Sequence, residues 1–330
     1  MSVVTLVCLP AEGSTVPSQE TNDPEGTMAT LPGVHVATTT PFRADGSVDL
    51  DAYAAHCRWL VAQGVDGLVP CGSLGEYEVL TPEERRAVVE AAVRAAAGVV
   101  KVIPGVAAPS GPQARAWAEH AAAVGADGVM ALPPLSHAAT DEEVVAHYEQ
   151  VAAAGLPVVV YNNPFSTRLD LRPALLARLA EIDGVVAVKE FSGDVRRVTA
   201  ILQASDRLEV LCGADDVAFE SALMGASGWI GGFTGVFPAA TAWLFREGVA
   251  GRVTPARDLY RALLPLLRWD TTPRFVQAIK LAQDLVGQPG GAARPPRLPL
   301  AADAVAAITA AVARAQEAIA AAGVPEPVAP

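Results

Sequence analysis

From Val34 onward, short apolar runs alternate with alanine-rich stretches of helical character, in a fixed order. The first run, Val34 to Thr40, is stopped by Pro41, and a turn at Ala44-Asp-Gly-Ser47 leads into a helix predicted from about Leu50 to Ala62. One phrase then keeps returning: helix, glycine, one or two small or acidic residues, apolar strand. It is spelled Gln63-Gly-Val-Asp-Gly-Leu-Val69, Val124-Gly-Ala-Asp-Gly-Val-Met130, Ala154-Gly-Leu-Pro-Val-Val-Val160, Ile182-Asp-Gly-Val-Val-Ala187 and Met224-Gly-Ala-Ser-Gly-Trp-Ile230. The glycine stands where a helix takes a left-handed cap before the chain turns into a strand. Further strands are predicted near 99–105 and 208–213.

The pattern counts to eight strand-helix units of about 25 to 30 residues each, the period of a βα unit. Apolar strands separated by helices require a parallel sheet, and eight units close most simply into a (β/α)8 TIM barrel of the α/β class. A doubly wound open sheet is the alternative, but no dinucleotide-binding glycine fingerprint follows the first strand. Three more helices are predicted beyond the eighth strand, near 253–268, 274–287 and 299–322, with a Gly/Pro/Arg linker at 287–297. The expected organisation is a disordered extension over residues 1–30, the barrel over 31–250, a helical extension over 251–322 and a fraying tail over 323–330. Residues 1–30 have no basic start and no long apolar stretch, so they do not read as a signal peptide. Met28, just before the first strand, is an alternative translation start.

Composition narrows the function classes. A hydrophobic content of 51% with 18% charged residues is that of a compact globular protein, and a net charge of -12 argues against nucleic acid or an anionic membrane as partner. Cys8, Cys57, Cys71 and Cys212 are scattered without a CxxC pair, which points to reduced thiols in a cytoplasmic protein and not to a zinc site. His35, His56, His120, His137 and His147 show no ligand spacing, so no metal is implied. Apolar runs are broken by Gly, Pro or charge, and none is expected to reach membrane-spanning length.

The candidate chemistry gathers where barrel enzymes place it, at the carboxyl ends of the strands. Lys189, one of only three lysines, ends the run Val185-Val-Ala-Val-Lys-Glu190. A lysine at the mouth of an apolar strand either loses its proton and becomes a nucleophile or pairs with a neighbour, here Glu190 or Asp194. Cys71-Gly-Ser-Leu-Gly-Glu76 offers backbone N–H groups and the Ser73 hydroxyl to a carboxylate, or is simply a tight turn. Tyr161, at the end of Val158-Val-Val-Tyr-Asn-Asn-Pro164, can move protons if its hydroxyl is held. Gly213 and the glycines after Ile230 would let a small ligand approach the backbone. His35, His137 and Thr39 are further candidates without a partner in the sequence.

Taken in order, Gly72-Ser-Leu-Gly-Glu76, Tyr161-Asn-Asn-Pro164 and Val188-Lys-Glu190 resemble the dihydrodipicolinate synthase and N-acetylneuraminate lyase family, over about residues 31 to 320. The resemblance implies a barrel with a helical extension, usually a homotetramer, acting as a class I lyase without metal or cofactor, whose lysine forms a Schiff base with pyruvate or a related 2-oxo acid. It would make Lys189 that lysine, Tyr161 the proton shuttle, Ser73 with the Leu74 and Gly75 amides the carboxylate cradle, and Ile230 a backbone contact. The chain departs from the synthase pattern at three places. Leu74 replaces a relay threonine, Pro134-Leu135 replaces an aromatic pair, and Ser166 replaces an arginine, with Arg168 two residues further on.

The resulting expectation is a Schiff-base lyase of aldolase, dehydratase or deaminase type in sugar-acid or hydroxy-amino-acid metabolism, assembled as a tetramer or dimer. The alternatives are 4-hydroxy-tetrahydrodipicolinate synthase and, from another class, a non-catalytic barrel that binds a 2-oxo acid. Leu135, Phe165, Trp229 and Phe233 are expected to line the pocket, which predicts a second substrate less charged than a dicarboxylate.

Overall fold

The computed structural model describes residues 30–325. Apart from Thr30 and residues 323–325, the expected extension and tail, together with Met28, lie outside that range. The strands are β1 (Gly33–Ala37), β2 (Gly67–Val69), β3 (Lys101–Val102), β4 (Val129–Ala131), β5 (Val158–Asn162), β6 (Val185–Glu190), β7 (Glu209–Cys212) and β8 (Gly228–Gly231). The helices between and after them are α1 (Leu50–Ala62), α2 (Pro82–Ala96), α3 (Gly111–Ala123), α4 (Asp141–Ala152), α5 (Pro164–Thr167), α6 (Pro173–Leu179), α7 (Arg196–Ala204), α8 (Ala218–Leu223), α9 (Pro238–Val249), α10 (Val253–Leu267), α11 (Phe275–Leu285) and α12 (Ala302–Ala322).

All strand pairs are parallel, in the order β3-β2-β1-β8-β7-β6-β5-β4. The two ends of that order meet through backbone bonds from Asp127 N to Val102 O (2.9 Å), Met130 N to Pro104 O (2.9 Å) and Val106 N to Met130 O (2.8 Å), so the sheet closes into the expected TIM barrel. Several strands are shorter than their apolar runs. Thr38, Thr39 and Thr40 leave β1 because their hydroxyls find other partners in Tyr53, Gln283 and the Gly75 carbonyl. The recurring glycines 64, 125, 155, 184 and 225 all have positive φ. Gly64, Gly125 and Gly225 directly follow the cap residues of α1, α3 and α8, whereas Gly184 sits later, in the turn before β6.

Side chains alternate between the barrel interior and the helices. In β5, Val158 and Val160 pack outward with Val144 and Leu176, while Val159 and Tyr161 face inward with Ile103, Met130 and Leu211. A bulge in β6 decides what meets Tyr161. Val158 pairs with Val185, but Val159 pairs with Ala187, and the extra residue brings Tyr161 opposite Lys189. Without the slip, Tyr161 would face Val188, whose side chain belongs to the outer layer.

The extension shares the barrel's core cluster. Helix α12 rests on α10 and α11 through Ile308, Ala311, Val312 and Ala315, spaced as one helical stripe. By length and composition, its 21 residues are apolar enough to cross a membrane, contrary to the expectation that no segment reaches that length. The expectation looked for unbroken runs, and an alanine-rich helix keeps its mean hydropathy high despite Asp303, Arg314 and Glu317.

Candidate active site

The Lys189 side chain runs from the end of β6 across Gly213. A Cβ at Gly213 would stand 3.0 Å from Lys189 Cε and 2.9 Å from the Glu190 carbonyl, so only glycine leaves the lysine room. The ammonium lies 4.5 Å from the centroid of the Tyr161 ring and 5.9 Å from that of Phe191. Lys189 is buried, and burial lowers its proton affinity, opposed by the charges of Asp270 and Asp215.

The pairing read as an alternative for this lysine does not occur. Glu190 accepts from Asn162 Nδ2 (2.9 Å) and Ser192 N (2.7 Å) and faces Arg197 at 3.8 Å, while Asp194 pairs with Arg196 at 2.7 Å. Both carboxylates are taken by partners on the outer side, and Lys189 makes no ion pair among the described residues.

Tyr161 accepts a hydrogen bond from Asn163 Nδ2 at 3.0 Å, and burial raises the proton affinity of its phenol oxygen. Asn163 is itself held, its Oδ1 capping α5 by accepting from Ser166 N at 3.2 Å. The hydroxyl is therefore oriented by a fixed donor. The Tyr161 ring, not its hydroxyl, meets the Lys189 ammonium, in the register of the two strands.

The turn at 71–76 faces them. Cys71 and Glu76 both take left-handed backbone, at φ 57° and 56°, and α2 then starts from a capping box between Thr81 and Glu84. Glu76 is buried and receives Lys280 Nζ at 2.7 Å and Arg294 N at 2.9 Å, which fastens the turn to the carboxyl-terminal extension. Ser73 and Leu74 lie on the cavity wall. Gly75 is packed behind them, where a Cβ would be 3.1 Å from both Cys71 N and Thr38 O.

The cavity bounded by Lys189, Tyr161, Ser73, Leu74 and Gly213 has a volume of about 410 Å³. Other expected residues lie elsewhere. Thr39 is buried against Gln283 (2.8 Å) and Ile230 is buried within β8, neither on the wall. Arg168 is exposed on the left-handed cap of α5, off the wall, because the short helix ends there and turns the side chain to solvent. His137 is exposed and paired with Glu143 at 3.2 Å, and His35 is buried at the amino ends of the strands against Leu31 O. Of the four expected wall residues only Phe165 lines the cavity. Trp229 and Phe233 are wholly buried in the core and Leu135 points to solvent.

Sequence reasoning missed two carboxylates and one cation. Asp215 is completely buried, with Oδ1 accepting from Trp229 Nε1 (2.9 Å) and Oδ2 from Phe233 N (2.8 Å) and Gly232 N (3.2 Å). Desolvation nevertheless pushes its carboxyl up to about 6, against the pull of these donors and of Lys189. Asp270, on the wall, accepts from Asp215 N at 3.3 Å and is also raised by burial and by Asp215. Arg297, from the linker before α12, lines the same cavity. Asp215 stands three residues beyond the end of β7, whereas Asp270 lies between two extension helices and Arg297 in the Gly/Pro/Arg linker, far in sequence from any strand end.

The sequence profile of the dihydrodipicolinate synthetase family matches residues 30–315. The chain belongs to this family. Among dihydrodipicolinate synthetase relatives, the 4-hydroxy-tetrahydrodipicolinate synthase of Methanothrix thermoacetophila is 35% identical, covering 82% of this chain and 90% of its own. An uncharacterised DapA-like lyase of Halobacterium salinarum is 36% identical over 85% and 91%. The solved 4-hydroxy-tetrahydrodipicolinate synthase of Methylacidiphilum fumariolicum SolV superposes with a TM-score of 0.84 at 26% identity, covering 89% of this chain and 98% of its own. YagE, a prophage protein of E. coli K12 crystallised with pyruvate, gives 0.82 at 29% identity, over 87% and 99%. Like the rest of the family, the chain is a class I lyase.

Proposed function

We propose that the chain is a Schiff-base-forming lyase acting on pyruvate or a related 2-oxo acid, with Lys189 as nucleophile. The observation that carries this reading is a buried lysine that makes no ion pair among the described residues and stands in register with a tyrosine on the adjacent strand. In its neutral form the Lys189 amine attacks the keto carbon. The two amine protons and the keto oxygen then leave as water, and a carbon-nitrogen double bond remains. Once its nitrogen takes up a proton, the resulting iminium draws electrons from the neighbouring carbon, so a proton or a carbon substituent there can depart without its bonding pair, which becomes the carbon-carbon double bond of an enamine that keeps the N–H. Tyr161, held by Asn163, carries protons between substrate and solvent side of the cavity. Ser73 and the backbone of the turn at Leu74 receive the substrate carboxylate.

A second reading, 4-hydroxy-tetrahydrodipicolinate synthase, is favoured by the names of several relatives. Against it stand Leu74 in place of a relay hydroxyl and the exposed Arg168, which does not replace the arginine missing at Ser166. We further propose a tetrameric or dimeric enzyme of the cytoplasm. Cys57, Cys71 and Cys212, all buried free thiols, support a reducing compartment.

The test is proton exchange. In heavy water the enzyme is expected to replace the methyl protons of pyruvate with deuterium, followed by proton NMR, and Lys189→Ala to abolish the exchange. Equal exchange in both proteins would reject Lys189 as the nucleophile.

A further inference from the structure

Two cations line the cavity, Lys189 and Arg297, and the second has no assigned task. Arg297 follows Arg294, which is clamped by contacts from its guanidinium to Val79 O (2.8 Å), Gly46 O (3.0 Å from Nε) and Glu84 (2.7 Å from Nη1). The Arg297 N–H donates to Arg294 O at 3.1 Å, so the residue is carried on a fastened turn. Its guanidinium lies 5.4 Å from the centre of the Phe275 ring, also on the wall, and its side chain keeps 26% of its exposure.

The charges around it engage this guanidinium only at long range. Lys280 takes Glu76 at 2.7 Å, and Arg294 takes Glu84. The nearest carboxylate oxygen to Arg297 is Glu76 Oε2 at 4.0 Å, already accepting from Arg294 N. Glu78 shares the wall but makes no ion pair with Arg297, and no side-chain hydrogen bond leaves Arg297 among the described residues. A planar fork of five donors, stacked on an aromatic ring and facing an open cavity, is suited to a carboxylate.

We infer that Arg297 anchors a second, distal carboxylate of the substrate, so that the preferred substrate is a 2-oxo diacid whose keto carbon is held at Lys189. This rests on the Schiff-base reading above and adds the substrate class. It also replaces the expectation of a less charged substrate. That expectation leaned on Leu135, Phe165, Trp229 and Phe233, of which only Phe165 reaches the cavity. The anchor enters from the linker before α12 and not from the loop after β5, where Ser166 stands.

The experiment is reductive trapping with borohydride, read by intact mass as a function of ligand concentration. The probes are 2-oxoglutarate and 2-oxoadipate, each against the 2-oxo monoacid of equal chain length, with pyruvate as reference. For wild type, half-saturation by the diacid is expected to be roughly ten- to a hundredfold lower at one of the two lengths. Arg297→Met should erase that preference, and Arg297→Lys, which keeps the charge but not the fork, should leave an intermediate one. Absence of a diacid preference in wild type, its persistence in Arg297→Met, or trapping of pyruvate alone would overturn the inference while leaving the Schiff base in place. Failure of every probe, pyruvate included, would overturn the Schiff-base reading and the anchor with it.

Discussion

Tyr161 and Lys189 face each other across β5 and β6, and they do so because of a single extra residue in β6. The register slip between Val158 and Val159 turns Ala187 and Lys189 into the barrel, where the ammonium rests 4.5 Å from the tyrosine ring centre. A strand of period two has no intermediate setting, so the nucleophile's presence in the cavity depends on that bulge.

Gly213 keeps the lysine's path open. In Gly213→Ala the new methyl would stand 3.0 Å from Lys189 Cε and 3.0 Å from Phe191 Cβ, and the backbone contact at Glu190 O prevents it from backing away. The rate of trapping with pyruvate is expected to fall by about a hundredfold, as for a displaced reacting group, with the melting temperature changed far less. An unchanged rate would show that the lysine reaches substrate by another path.

Among the charges near Lys189, that of Asp270 most favours the ammonium. Burial and Asp215 raise the proton affinity of Asp270 itself, so the effect acts where Asp270 is ionised, and there Asp270→Asn is expected to lower the lysine's proton affinity beyond what burial does. Only the neutral amine attacks, hence the rising limb of the rate of imine formation should move to lower pH in Asp270→Asn. A pH series of single-turnover trapping checks the direction, and a move to higher pH would reject the electrostatic role.

Asp215 couples stability to pH. Its carboxyl is raised to about 6 in the folded chain, above its ordinary value of 3.8, so the folded state holds the proton more tightly than the unfolded one. Stability from this group is present at low pH and is lost as pH rises from about 4 to about 6. Asp215→Asn cannot ionise. Its melting temperature relative to wild type should therefore climb through that window and level off above it, whatever constant offset the altered contact with Trp229 adds.

Lys280 and Glu76 form a pair in which each side chain is 1% exposed. Lys280→Met leaves a buried carboxylate beside the turn and is expected to cost about 3–5 kcal/mol, a drop in melting temperature on the order of 10 °C. The double variant Lys280→Met/Glu76→Gln should recover part of that loss, whereas additive losses would mean that the pair is not coupled.

The alternation of apolar runs and alanine-rich helices made the barrel legible, because each βα unit carries its own period and its own glycine turn. Lys189, Tyr161, Ser73 and Gly213 were legible for a related reason: the barrel's chemistry lies at strand ends, and those ends can be found from the runs that precede them. What stayed hidden depends on long-range contact. Asp270 and Arg297 reach the cavity from the extension, about 80 and 110 residues after Lys189, and the local signals there, helix propensity and a Gly/Pro/Arg linker, say nothing of the cavity. Arg168 misled because proximity in sequence to Tyr161 says nothing about the left-handed cap that turns it outward. The pairing of Lys189 with Glu190 was open in sequence, and it is the alternation of faces along β6, with Asn162 and Arg197 on the far side, that removes it.

Whether Lys189 is the residue that forms the imine is read from borohydride reduction in the presence of pyruvate, followed by peptide mass mapping. One adduct per chain is expected, the reduced pyruvyl group on the peptide containing Lys189, and none in Lys189→Ala. An adduct on the Lys101 or Lys280 peptide, or one that survives in Lys189→Ala, would reject Lys189 as that residue.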